Sequence, residues 1–420
     1  MIRNIALIIM TILSFVSVRA EERADSLLMQ YLRSQGLVEY FADDVKVYTN
    51  GTDKFNAMFR DMHDAKKTID VEYFIFADDS IAHLTLDVMK DAVKRGVRVR
   101  LIIDGYKDHE RDYGYDGPRI DSLRKEGIEA YIFDRWKHPY LSHVPRDHKK
   151  IVVIDNEIGY IGGLNVADYY INGKPEVYGG WRDTHVRISG DAAKGMTWLF
   201  EKALFIAKNG IDKEKDVNLY ISAERGSVSN IENTDCPKVV YFERSRESKK
   251  KKAETRNAII EAFNSAQDTL RIVSPYLLPT HTVRMALVKA VDRGVNVQVL
   301  FSRDGDQPIL SVGNYHFSKR LIRHGAEVYL YRGAFHHSKI MMIDGMYSMV
   351  GSANLNSRSL KWDYEASCFV FDKNLTEELN SIFESDKLQS DKLTKEYYKK
   401  IPFRKRLYGW FVDRFLTPIL

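Results

Sequence analysis

Cysteine is scarce in this chain. Only Cys236 and Cys368 occur in 420 residues. Two thiols cannot build a disulfide framework, and with no histidines at ligand spacing they cannot make a structural zinc site. They are able to pair in an oxidising compartment, although Cys368 sits in the apolar run SCFVFD and reads better as a small packed hydrophobe. A strong charge of one sign is missing too. Lys and Arg number 63 against 58 Asp and Glu, a net charge of +5, too small to point to nucleic acid by itself and equally suited to an anionic membrane surface. Long apolar runs are absent beyond the first twenty residues, so no later segment is expected to span a bilayer.

What is present is enough for two domains of ordinary size. A hydrophobic share of 44% supports sizeable cores and excludes a disordered chain. Met1 to Ala20 reads as a secretory signal, with Arg3 at its positive start, Ile5 to Val18 as the apolar stretch and Val18-Arg19-Ala20 as the exit. An uncleaved N-terminal anchor is the other reading of this segment.

The rest of the chain is written twice. In the first copy a helical segment from Phe55 to Lys67 precedes the strand Ile69 to Phe76. Ile81, Leu84, Val88 and Ala92 then keep a 3.6-residue period until Gly96, and Val97 to Ile103 reads as the next strand. A short helix from Pro118 to Gly127 and a strand from Ile128 to Phe133 follow. The second copy repeats the order: helix Thr255 to Asn264, strand Leu270 to Leu277, helix Val283 to Arg293. RGVNVQVLFS from Arg293 mirrors RGVRVRLIID from Arg95, and IRHGAEVYLY from Ile322 mirrors RKEGIEAYIF from Arg124. Strands alternating with helices predict an α/β fold with a mixed, mostly parallel sheet flanked by helices in each half. The expected divisions are 1–20 for the leader or anchor, 21–230 and 231–398 for the halves, and 399–420 for a tail.

Each copy then reaches the same pattern. His148, Lys150 and Asp155 are matched by His337, Lys339 and Asp344, with His and Lys at i and i+2 and therefore on one face of a strand. A Gly follows seven residues after each Asp and an Asn ten after it, giving Gly162 and Asn165, then Gly351 and Asn354. One His-x-Lys is a weak signal, but two copies with matching sequels are a strong one. Imidazole is nucleophilic near neutral pH and also exchanges protons, while ammonium and amide groups suit the negative oxygens of a phosphodiester. His143, His185 and His336 lack this duplicated context, and His336 falls on the opposite strand face; they read as structural or peripheral.

The duplicated His-x-Lys-x4-Asp pattern resembles the phospholipase D superfamily. Within it, RDHKKIVVIDNEIGYIGGLNVADYY, WRDTHVRISG, HSKIMMIDGMYSMVGSANLNSRSLKWDYE and the ending RFLTPIL are most similar to bacterial cardiolipin synthases. The resemblance implies two phospholipase D-like domains packed with pseudo-twofold symmetry around one centre, without metal or other cofactor. It implies His148 as nucleophile, His337 as general acid, and Lys150, Lys339, Asn165 and Asn354 around the phosphate. It gives Asp155 and Asp344, members of the catalytic motif, a mainly structural part, and makes Asp183 and Glu365 the acids that orient the imidazoles. The implied reaction joins two phosphatidylglycerols and releases glycerol. A phospholipase D-type hydrolase, an exported nuclease of the same superfamily and a lipid-binding member without chemistry remain as rival readings. The implied partner is an anionic phospholipid membrane, with no nucleic acid or protein partner, at the outer face of a bacterial cytoplasmic membrane. Many members carry two N-terminal membrane spans where this chain has its signal-like segment, and Asp363 stands where the family often has an apolar residue or Asn.

Four further stretches draw attention. GYKDHERDYGYDG and DRWKHPYLSHVPRD, both in the first copy alone, are placed to shape the mouth of a site or to serve as plain surface loops. RSRESKKKKAETR is a basic run that reads as a solvated helix start or a lipid contact. From Phe403 onward, Phe403, Leu407, Trp410, Phe411 and Phe415 at helical spacing among Arg404, Lys405, Arg406 and Arg414 make a basic amphipathic helix, suited to a membrane interface or to packing on the body.

Overall fold

A computed structural model describes residues 27–107, 117–134, 145–174, 180–217, 236–245 and 253–420. The leader, His143, most of the two first-copy loops and the lysine run lie outside these residues.

The strand that follows His148, Lys150–Ile154, and its counterpart Ile340–Ile343 sit near the middle of two sheets. The first sheet runs in the order Asp44–Tyr48, His185–Ser189, Ile158–Gly162, Lys150–Ile154, Thr68–Tyr73, Arg98–Asp104, Glu129–Phe133. The second repeats this core with Lys238–Arg244, Glu365–Phe371, Tyr347–Gly351, Ile340–Ile343, Thr269–Val273, Asn296–Ser302 and Glu327–Tyr331, and adds an edge strand on each side. Both sheets are mixed, but parallel pairing is narrower than the sequence predicts. It is confined to Thr68–Tyr73 with Arg98–Asp104 and Glu129–Phe133, and to the equivalent trio in the second half. The reason is loop length. Helices Ser80–Lys94 and Gly117–Lys125 return the chain for a parallel strand, whereas a three-residue turn after Ile154 or Ile343 permits only an antiparallel one.

That turn explains the motif Asp. Asp155 and Asn156 both have positive φ (53° and 61°), as do Asp344 and Gly345 (52° and 70°), the requirement of a type I′ hairpin. The Asp155 carboxylate accepts from the backbone N–H groups of Lys66, Lys67 and Thr68 at 2.7–2.8 Å. The Asp344 carboxylate accepts from those of Gln267, Asp268 and Thr269 at 2.8–2.9 Å. Each ties the helix-to-strand connection of its half to the hairpin. Asp155→Ala or Asp344→Ala removes three charge-assisted bonds and puts Ala at positive φ, a loss of about 3 kcal/mol. Thermal unfolding is therefore expected to move down by roughly 3–7 °C. An unchanged unfolding temperature with lost turnover would place these carboxylates in the chemistry instead.

Strand alternation sorts the cores. Ile151, Val153, Ile161, Val186 and Ile188 face Ile340, Met342, Val350, Cys368 and Val370 in a shared layer between the two sheets. Val152 and Ile154 point outward, against Phe55, Met58, Ile81 and Met89 of the first-half helices. The two cysteines are free, and Cys368 is buried in the shared layer as a small hydrophobe.

Two departures from the expected divisions follow from packing. Residues 27–41 precede the first sheet in sequence yet belong to the body of the second half. Leu28 and Leu32 enter its core, and Glu39–Phe41 pairs with Lys238–Val240. The second copy also carries a long helix, Pro308–His324, which the tail helix Phe403–Phe411 covers. A Cβ on Gly409 would lie 2.5 Å from the Val312 carbonyl oxygen, so only glycine allows this close approach.

Candidate active site

His148 and His337 stand just before their strands, and each is reached by the other half. The backbone of Asp147 pairs with that of Tyr364, and His148 N donates to Tyr364 O at 2.9 Å. Phe335 and His336 pair with Trp181 and Arg182, and His337 N donates to Arg182 O at 2.7 Å. These two short exchanges carry the acids across. His148 Nδ1 lies 3.0 and 3.1 Å from the Glu365 carboxylate oxygens. His337 Nδ1 lies 2.6 Å from Asp183 Oδ2. Each imidazole is thus held by the acid of the opposite half. A carboxylate at Nδ1 puts the ring proton there and leaves Nε2 as the nitrogen free to react.

Lys150 and Lys339 fold back onto their own histidines. Lys150 Nζ donates to the His148 carbonyl oxygen, and Lys339 Nζ to that of His337 while lying 2.8 Å from His337 Nδ1. All six groups are buried or nearly so, and burial governs their ionisation. It holds both histidines well below the usual imidazole range, helped by Lys150 and Lys339. It brings Lys150 down to about 7 and Lys339 to about 8. It lifts Asp183 to about 6 and Glu365 to about 7, against the opposing pull of the lysines. An anion entering this pocket would meet a neutral His148 ready to attack, and its charge would favour the protonated forms of His337 and of the two lysines.

The two half-sites are not copies. His337 is surrounded by Trp181, Phe335, Tyr170 and Tyr276, with ring centroids 5.2–6.3 Å away. His148 has Phe74 at 4.9 Å. Ser352 Oγ donates to Glu365, while the equivalent Gly163 has no room for a side chain, because a Cβ would lie 2.1 Å from Asp183 Oδ1.

The motif acids fall outside the cluster. Asp155 and Asp344 stand seven residues beyond their histidines, about 23 Å along an extended strand. The Asn165 side chain accepts from Ile75 N at 3.1 Å and donates to the Tyr170 hydroxyl. The Asn354 side-chain oxygen is buried with no hydrogen-bond partner among the described residues. His336 pairs with Asp386 on the far strand face at 3.0 Å, and His185 accepts from Leu164 N at 3.3 Å.

Sequence reasoning missed a supporting network. Asp363 accepts from Arg146 N at 3.0 Å and pairs with Arg358 at 2.7 Å, while Asp104 accepts from Asp147 N at 2.7 Å and faces Arg146. Thr184 and Ser338 share a hydrogen bond of 2.8 Å between the halves. The departure at Asp363, noted in the sequence, was the one available signal: it clamps the segment ahead of His148.

A duplicated α/β scaffold with one His-Lys pair from each half, each ring oriented from across the seam, defines a phospholipase D-type centre. The family model described as "Cardiolipin synthase, PLD-like domain" matches residues 58–184 and 259–387, and the chain belongs to that family. It is 28% identical over 399 residues to a cardiolipin synthase of Oceanobacillus iheyensis, covering 94% of this chain and 79% of that protein. It is 27% identical over 372 residues to a minor cardiolipin synthase of Bacillus subtilis, 87% of each. In fold it is similar to the phosphatidylserine synthase of Haemophilus influenzae, with a TM-score of 0.73, 16% identity, and coverage of 96% of this chain and 100% of that one.

Proposed function

We propose that this chain is a cardiolipin synthase-type phosphatidyltransferase working through a phosphohistidine. The observation that carries the reading is the crossed pair of imidazole–carboxylate bonds, His148 to Glu365 and His337 to Asp183. His148 Nε2 attacks phosphorus of one phosphatidylglycerol, and the bond from phosphorus to the glycerol oxygen breaks. His337, protonated at Nε2 once the negative phosphate occupies the pocket and returned to the neutral ring by this step, gives that oxygen its proton, so glycerol leaves. The terminal hydroxyl of a second phosphatidylglycerol then attacks phosphorus, His337 takes its proton, and the phosphorus–nitrogen bond breaks to release cardiolipin. Lys150 and Lys339 carry positive charge beside the non-bridging oxygens. Asp183 and Glu365 fix the ring tautomers and balance each imidazolium as it forms.

The lipid substrates imply work at a membrane. No helix among the described residues is long and apolar enough to cross one. Export to the outer face of a bacterial cytoplasmic membrane, through the segment Met1 to Ala20, is part of this proposal.

Labelled phosphatidylglycerol in vesicles tests the reaction. Cardiolipin plus glycerol is the expected product pair, and phosphatidic acid plus glycerol would make the protein a hydrolase. The pH profile tests the site. The lysine pKa values are lowered, to about 7 for Lys150 and about 8 for Lys339, so the charged forms that bind phosphate are lost as pH rises through these values. The carboxyl pKa values are raised, to about 6 for Asp183 and about 7 for Glu365, so the orienting carboxylates are lost as pH falls through theirs. kcat/KM, which reports the free protein, is expected to peak near pH 7 and to fall on both sides. A flat profile between about pH 5.5 and 9 would remove the buried lysines and acids from the working site.

A further inference from the structure

The tail settles on the body by a narrow strip and leaves its aromatic face in water. Gly409 touches the backbone of Val312, Val412 is buried with Leu278 and Leu310, and Asp413 pairs with Arg284. Outward stand Phe403, Leu407, Trp410, Phe411 and Phe415, exposed by 67%, 51%, 46%, 44% and 54%. Single exposed apolar residues are ordinary, but five large ones within four turns mark a surface made to be covered. Exposed Arg404, Lys405 and Arg414 flank them.

The far end of the tail reaches the site. Arg358 N donates to Leu420 O at 2.8 Å, and Arg358 holds Asp363, which clamps the segment before His148. Leu278, packed on Val412, donates its N–H to Leu355 O beside Asn354.

We propose that this face docks on a phospholipid bilayer bearing anionic headgroups. The aromatic row enters the interface, the basic residues meet the phosphates, and the brace through Leu278 and Arg358 sets the catalytic cleft at a fixed height against the membrane. The choice of occupant rests on charge complementarity and on the proposed lipid substrate.

The test uses the full chain and vesicles of phosphatidylglycerol with phosphatidylcholine whose acyl chains are brominated. Vesicle-bound protein should show quenched tryptophan fluorescence, and Trp410→Phe should remove most of the quenched component. Equal quenching in the variant would overturn the docking, whatever the N-terminal segment does. Arg404→Glu with Lys405→Glu should raise the lipid concentration for half-binding about tenfold or more; an unchanged value would overturn the role of headgroup charge. Phe411→Glu with Phe415→Glu should lower turnover on vesicles about tenfold and leave turnover of detergent-dispersed substrate within about twofold. A dimer in solution that these two changes dissolve would make a second copy the occupant and sink the proposal. The quenching is independent of chemistry, so a protein that docks but makes no cardiolipin would fail the functional reading alone.

Discussion

His148→Ala and His337→Ala are each expected to lower turnover of phosphatidylglycerol by about 10⁴-fold or more, the scale seen when a nucleophile or its proton-transfer partner is removed. Both proteins should stay folded, because the side chains sit at strand starts and the backbone bonds across the seam, His148 N to Tyr364 O and His337 N to Arg182 O, survive loss of the imidazoles. The two variants should part company on a substrate with a p-nitrophenol leaving group. Nitrophenolate needs no proton to depart, so His337→Ala should still release it in a burst and accumulate a phosphatidyl-enzyme. His148→Ala should give neither. A burst in His148→Ala instead would reverse the assignment of nucleophile and acid. Activity on phosphatidylglycerol in either variant would end the paired-imidazole mechanism.

The crossed acids give the second large effect. Asp183→Asn and Glu365→Gln keep shape but lose the charge that holds the imidazole tautomer, and each is expected to lower kcat by about 10²–10⁴-fold. The pattern matters more than the size. Asp183 bonds His337, so Asp183→Asn should penalise glycerol release far more than nitrophenol release. Glu365 bonds His148, so Glu365→Gln should slow both substrates alike. If Asp183→Asn behaved as a nucleophile defect, the acids would serve the histidines of their own halves in solution, and the crossed geometry would have no mechanistic meaning.

Much of this was legible because duplication leaves marks in one dimension. The repeated His-x-Lys-x4-Asp, the Gly and Asn at fixed offsets, and the mirrored strand sequences located both halves and eight site candidates, and the family resemblance added Asp183 and Glu365. Asp-Asn and Asp-Gly after an apolar run already spell a tight hairpin, and the structure shows it in both copies. The helix Pro308–His324 was harder to see. Its buried face includes Asn314 and Ser318, and Asn314 spends its amide on Leu277 N and Pro275 O, so its apolar period is broken. Residues 27–41 gave no hint that they would cross to the second half, because an edge strand chooses its sheet through contacts far away in the chain.

The sequence by itself determined which chemical groups exist, that they come in two sets, and that each set opens a buried strand closed by a turn, since residue type, spacing and φ preference are local properties. Only the tertiary structure decided which carboxylate faces which imidazole, which lysines burial discharges near neutral pH, and which side of the tail is left bare. Those outcomes depend on distance and desolvation, and both arise only when the two halves close on each other.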